Sequence, residues 1–483
     1  MSELLTIKDS KNQSGQSLSV FDCCYYSLPK IGIVWLWAPT AILQGIYAKY
    51  YGFSLLMLAS IILLARFFDV LTDPLIGYLS DRYQRRTGTR KPFILLGCLL
   101  FVISSYFLYV PFGVDTTSIM SGNISDGQAV STTYFITWFL LFYLAFTLFD
   151  IPHYAWGSEL AENGRDKSKI YSFRAGAGYL GLVLFYSIPL LPIFDSNDIT
   201  PKTLELSTIT ASLLLILFLF ISIVRTPSNS CKTMLSDHSL QNSQQRLMNN
   251  KFGLLRCILT NKPFLLFLGF YVLSGLGFGL WYGVIFLYVD SYLDMGEQFS
   301  SMFMLSFILG IAATPIWYKL SHFLDKKIVL AIAMILITGS YIYSGTLLPG
   351  ETSVGQLIFM KVMNTFGYVC IASISPALLS EIVDYSSWKH HHQNTALYFS
   401  VYSFISKANV AIGMALGLAI VGWYGYDATA SSQGAEATNG LMLVMVWLPA
   451  SLASISLVVI VLNPINARRH QIIRRRLDSL SSY

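Results

Sequence analysis

Residues 64–93 read LARFFDVLTDPLIGYLSDRYQRRTGTRKPF, an apolar run that carries ionisable side chains and ends in a burst of positive charge. Arg66, Asp69, Asp73, Gly77 and Ser80 follow one another at intervals of 3, 4, 4 and 3, so in a helix they form one stripe backed by Leu, Ile and Phe. An ionisable side chain at the centre of a bilayer costs about 2.5–3.5 kcal/mol on insertion scales, so the stripe must face other helices or a water-filled cavity. Asp69 and Asp73, one turn apart, present their carboxylate oxygens to the same space, which suits a hard monovalent cation or a shared proton. Pro74 has no N–H and leaves the carbonyl of Val70 without its helical donor, a further oxygen close to both acids. The competing reading is a structural ion pair of Arg66 with Asp69, which leaves Asp73 unexplained.

The rest of the chain shows that this helix is one of many. Of 483 residues, 54% are hydrophobic and 12% charged, with a mean hydropathy of +0.56, which excludes a soluble protein of this size and points to an all-α polytopic membrane protein. Apolar runs long enough to span a bilayer lie near 28–50, 53–79, 92–112, 132–156, 171–193, 205–224, 264–289, 299–319, 328–347, 355–380, 396–424 and 439–462. They are unbroken rather than alternating, which argues against a membrane β-barrel.

Orientation follows from Lys and Arg. Arg82, Arg85, Arg86, Arg90 and Lys91 fall in the second loop, Arg165, Lys167 and Lys169 in the fourth, Lys326 and Lys327 in the eighth, and the long middle loop is basic too. The opposite loops hold only Lys49 and Lys202, so the even loops and both termini are expected in the cytoplasm, with the chain in the plasma membrane, the inner membrane if bacterial. The net charge of +6 is then topology and argues against a nucleic-acid partner. The polar N-terminal stretch has no apolar core, so the first span is expected to serve as targeting signal. Six cysteines form no framework and are expected reduced. Asn123 opens a glycosylation sequon in an outward loop.

The expected organisation is a cytoplasmic tail at 1–27, a six-helix half at 28–224, a polar Ser/Asn/Gln-rich linker at 225–262, a second six-helix half at 263–462 and a basic tail at 463–483. A faint repeat supports two halves: YLSDRYQRR at Tyr78 is echoed by YKLSHFLDKK at Tyr318, and GSELAENGRDKSKIYSFR by LSEIVDYSSWKHHHQNTALYFS. In span four, TLFDIPHYAWGSEL puts Thr147, Asp150 and Tyr154 on one face, with Pro152 just past the acid. His153 reads as a packed histidine rather than a proton carrier. Span five opens YSFRAGAGYLG, with Arg174 above small residues that let helices approach; an arginine this deep needs an acid or a substrate anion unless it snorkels to the surface. In span eleven Ser400, Ser403 and Lys407 share a face. His390, His391 and His392 are consecutive and cannot all face one metal from a regular helix.

The string R-x-x-D-x-x-x-D-P-x-x-G-x-x-x-D from Arg66 to Asp81, followed by R-K-P, resembles the glycoside–pentoside–hexuronide cation symporters of the major facilitator superfamily, as does EIVDYSSWKHHHQNTALYFSVYSFISKANVAIGMALG from Glu381. The resemblance covers about residues 25 to 465, with stretches 64–93 and 381–425 the most specific. It implies twelve transmembrane helices in two pseudo-symmetric halves. It also implies roles: Asp150 of the Asp-x-Pro motif, with Thr147, completing an oxygen cage begun by Asp69 and Asp73; Asp150, Tyr154, Arg174 and Lys407 meeting substrate; and Asp81, Arg82, Glu381 and Asp384 acting at the cytoplasmic gate. One departure stands out. The melibiose-permease branch uses a helix-one aspartate for sugar hydroxyls, and the corresponding count back from Asp69 reaches Ile33.

The expected function is therefore cation-coupled symport of a small solute, a sugar or glycoside, with Na⁺ or H⁺ as coupling ion, no other cofactor and no catalytic or structural metal. The expected state is a monomer in the bilayer whose partners are the solute and the cation. A lysophospholipid or other amphipathic anion is the alternative cargo. From other classes, an intramembrane aspartyl hydrolase needs its two acids on opposed helices, unlike Asp69 and Asp73, and a receptor needs no buried acids.

Overall fold

The computed structural model describes residues 19–112, 130–160, 164–226, 260–390, 395–428, 430 and 433–481. Among them all regular structure is helical. Eleven helices are long and apolar enough to cross a membrane, and a bent pair makes the twelfth. In order they are α1, the bent pair Val20–Ala41 and Leu43–Tyr51; α2, Leu55–Thr87; α3, Lys91–Tyr109; α4, Thr132–Leu160; α5, Gly164–Ser187; and α6, Pro201–Arg225. The second set is α7, Lys262–Tyr292; α8, Gly296–Phe323; α9, Lys326–Ser344; α10, Val354–His390; α11, Thr395–Trp423; and α12, Ala435–Val461. A further helix, α13, Ala467–Ser481, follows.

The bend of 53° in α1 falls at a 3₁₀ turn containing Pro39, whose missing N–H breaks the helical ladder. Pro74, by contrast, is carried inside an uninterrupted α2. That helix ends at Gly88, whose φ of 76° supplies the left-handed cap. Both α2 and α10 continue well beyond the apolar runs read from the sequence. Most of the 225–262 linker, Asn123, His391 and His392 lie outside the described residues.

The two sets pack by the same rules. In the first, α1 lies on α5 and α6, α3 on α4 and α6, and α2 on α4; in the second, α7 lies on α11 and α12, α9 on α10 and α12, and α8 on α10. Adding six to each number of the first pattern gives the second. The main contacts between the sets, α2 with α11 and α5 with α8, exchange under the same operation, as a pseudo-twofold requires. Small residues permit the close crossings: a Cβ added to Gly413 of α11 would lie 2.7 Å from the Cα of Gly279 on α7.

One end of the bundle carries the loops rich in Lys and Arg, the basic end. Contacts between the halves gather at the far end. There Lys49 of α1 pairs with Asp290 of α7 at 2.6 Å, Tyr186 of α5 stacks on Phe303 of α8 at 5.0 Å, and a Cβ on Gly422 would meet that of Leu55 at 3.2 Å.

Candidate functional site

Two charged clusters meet on one turn of α4. Asp150 accepts from Lys30 of α1 at 2.7 Å and from Arg174 of α5 at 2.5 Å through the same oxygen. The side chains of Lys30, Arg174 and Asp150 are 14%, 10% and 22% exposed, so this trio sits largely out of solvent with one positive charge in excess. Aromatic faces complete it: Arg174 lies over Tyr154 at 5.1 Å and Lys30 over Phe146 at 5.6 Å. Tyr154 itself is exposed.

One turn away, Thr147 donates its hydroxyl to Asp73 of α2 at 3.0 Å. Asp69 accepts from Arg66 at 2.8 Å, and that guanidinium covers the ring of Tyr143 at 4.4 Å. The Arg66–Asp69 ion pair weighed from the sequence is thus formed, while Asp73 turns to a different helix. At about 1.5 Å of rise per residue, Thr147 and Asp150 stand about 4.5 Å apart along α4, so the Asp73 oxygens and the basic trio are neighbours.

The three acids do not close into the single cage expected for Asp69, Asp73 and Asp150. Among the described residues no group of three or more His, Cys, Asp or Glu side chains is placed to hold a metal ion. The reason is charge: two bases on Asp150 stabilise its carboxylate, whereas two further carboxylates would repel it. His153 is packed, its ring stacked at 4.5 Å on Tyr26 and one nitrogen 3.1 Å from the Tyr26 carbonyl. Lys407 lies on α11, with its side chain outside the described set.

The basic end carries a second pair of clusters. Arg90, buried at the start of α3, reaches Asp81 at 2.6 Å, Glu159 at 2.8 Å and Ser80 at 2.9 Å, tying α2, α3 and α4 together. Arg82, expected to act with Asp81, is exposed; the bridging base is Arg90. In the other half Lys326 at the start of α9 pairs with Glu381 of α10. His470 of α13 lies 2.8 Å from Asp384. Glu159 and Glu381 are matched positions of the sequence repeat, and each meets the base that opens the preceding odd-numbered helix of its own half.

Lys30 is the principal residue that sequence reasoning missed. Its signal in the sequence is a lone lysine just inside the first apolar run, and no local spacing ties it to the acid on α4 that it meets. His470 falls in the basic tail at 463–483, where no local pattern marks it as a partner of Asp384.

With this geometry in place, the likeness to known proteins is specific. The family model described as MFS/sugar transport protein matches residues 25–467. This chain belongs to that family. It is a family of membrane transporters and not of enzymes. Among the transporter's relatives is a putative glycoside/cation symporter of Escherichia coli (strain K12), 21% identical over 95% of both chains. Another is the sodium-dependent lysophosphatidylcholine symporter 1 of Mus musculus, 23% identical over 87% of this chain and 81% of the relative. The crystal structure of a D-xylose-proton symporter superposes with a TM-score of 0.57 at 14% identity, covering 92% of this chain and 97% of that one; this likeness concerns the fold alone.

Proposed function

We propose that this transporter couples a cation, Na⁺ or H⁺, to the movement of a small solute of the sugar or glycoside class. The observation that carries the reading is the shared turn of α4, where Thr147 binds Asp73 and Asp150 binds Lys30 and Arg174. In this reading Asp69, Asp73 and Thr147 supply oxygens to the cation, and Asp150, Tyr154, Arg174 and Lys30 meet the solute. A cation at Asp73 draws on the Thr147 oxygen and shifts the α4 turn that holds Asp150, so each site biases the other. The excess of basic residues orders the basic end toward the cytoplasm, with both termini on that side. Because contacts between the halves gather at the far end, the binding turn is reached from the basic end, and rocking of the halves exchanges the open side.

A second cargo, an amphipathic anion such as a lysophospholipid, is favoured by one observation: two bases share one acid at the solute cluster. Uptake of radiolabelled sugars, glycosides and a lysophospholipid into vesicles holding the purified protein, under imposed Na⁺ or H⁺ gradients, tests both. Transport indifferent to either gradient would rule out symport.

A further inference from the structure

Lys361 lies on α10, about two turns in from the far end of that helix, and is 3% exposed. Among the described residues no carboxylate pairs with it. Its ammonium sits among three rings instead, 4.2 Å from the centre of Phe303, 5.2 Å from Trp281 and 5.7 Å from Phe307. Aromatic faces return only part of the hydration that a buried ammonium gives up.

The neighbouring polar atoms are also left without hydrogen bonds. They are Nε1 of Trp281 on α7 and, one turn further along α10, Oγ1 of Thr365; between them the Asn364 amide lies within reach of the Tyr341 hydroxyl on α9. Buried polar groups are satisfied in the great majority of cases. Orphaned atoms gathered around an unpaired ammonium therefore mark the place of an occupant. The set is rich in donors: an ammonium, an indole N–H, an amide and a hydroxyl. This chemistry suits an oxyanion, and the Trp281 and Phe303 rings suit a flat or apolar solute body. The cluster stands behind the seam where Tyr186 of α5 stacks on Phe303, so parting of the halves at the far end would uncover it.

We propose that Lys361, with Trp281, Asn364 and Thr365, forms a binding site in the second half for the anionic group, carboxylate or phosphate, of the transported solute. The assignment rests on the transport reading above and narrows its solute class to anions.

The test uses full-length protein in detergent, with tryptophan emission titrated by matched pairs: glucuronate and glucose 6-phosphate against glucose, and benzoate against benzyl alcohol. At least one acid should bind about tenfold or more tightly than its neutral counterpart, as expected for hydrogen bonds to a charged group. Lys361→Met, of similar length and apolar enough for the ring cage, should weaken the acid far more than its neutral partner and erase that margin; Lys361→Arg should keep it. The carboxylate and phosphate arms identify which oxyanion fits. The proposal is overturned if every acid binds no better than its neutral partner, or if Lys361→Met retains the margin or weakens both members equally. Gradient-driven uptake, measured separately, distinguishes the two ideas: loss of cation dependence with the acid margin intact removes symport, not this site.

Discussion

Lys30 and Asp150 form an ion pair from the first helix to the fourth, 2.7 Å long, on an oxygen that Arg174 also holds. With two bases on one acid, removing Lys30 leaves Arg174 and Asp150 as a charge-balanced pair, whereas removing Asp150 would leave two buried bases unpaired. Lys30→Met should still insert and fold, because Arg174 keeps Asp150 paired, but it should weaken solute affinity about tenfold or more. Lys30→Asp, which sets an acid against Asp150, should abolish binding. Equilibrium binding of the identified solute checks both, and wild-type affinity in Lys30→Met would remove this lysine from the solute site.

The hydroxyl of Thr147 on Asp73 gives a second expectation. Asp73→Asn should abolish gradient-driven accumulation, since a carboxamide lacks the charge that holds a cation. Thr147→Val should raise the half-saturating cation concentration several-fold while leaving maximal transport near wild type. In the Asp73→Asn, Thr147→Val double variant the threonine change should add nothing, because it acts through an oxygen already disabled. Additive effects on cation activation would separate the two residues.

Much of this was legible in the sequence because bilayer spans and basic loops are written in composition, and the stripe from Arg66 to Ser80 is written in helical spacing. The Arg66–Asp69 pair is three residues apart and follows from that spacing. Asp150 with Lys30 joins positions on different helices, and no local pattern tells a carboxylate whether its neighbours will be two acids or two bases. Arg90 was hidden among five basic residues of one loop; only the packing of α3 against α2 and α4 singles it out. Lys361 had no positional signal at all, since its significance lies in what fails to surround it.

Arg90 predicts a gate effect confined to one half. It is buried and meets Asp81, Glu159 and Ser80, but Asp81 is half exposed, so Arg90→Gln should cost about 1–3 kcal/mol rather than the full penalty of a dry ion pair. The loss should appear as a lower melting temperature, and as faster alkylation of a cysteine placed at Tyr78. Arg82→Gln, which alters an exposed side chain, should change neither. Equal effects from the two substitutions would contradict the distinction.

At the far end, Asp198 of the loop before α6 and Asp290 of α7 both crowd Gly296: a Cβ there would lie 2.6 Å from an oxygen of each. Burial, and then the charge of Asp290, push the Asp198 carboxyl above its ordinary range, with Lys49 opposing and Glu297 adding to the rise. The sign follows from linkage. A carboxyl whose pKa is raised in the closed state binds its proton more tightly there than when the end is open and hydrated. Its contribution to closure is full below the ordinary value of about 3.9 and is lost as pH rises through the raised value. Acidification within the interval between those values should therefore favour closure of the far end. Asp198→Asn should be more closed at neutral pH and lose this pH dependence, whereas Gly296→Ala should open the end at every pH by displacing both carboxylates. Spin-label distances between the far ends of α6 and α9, recorded across pH in lipid vesicles, check this; an Asp198→Asn profile that still follows wild type would assign the response to another group.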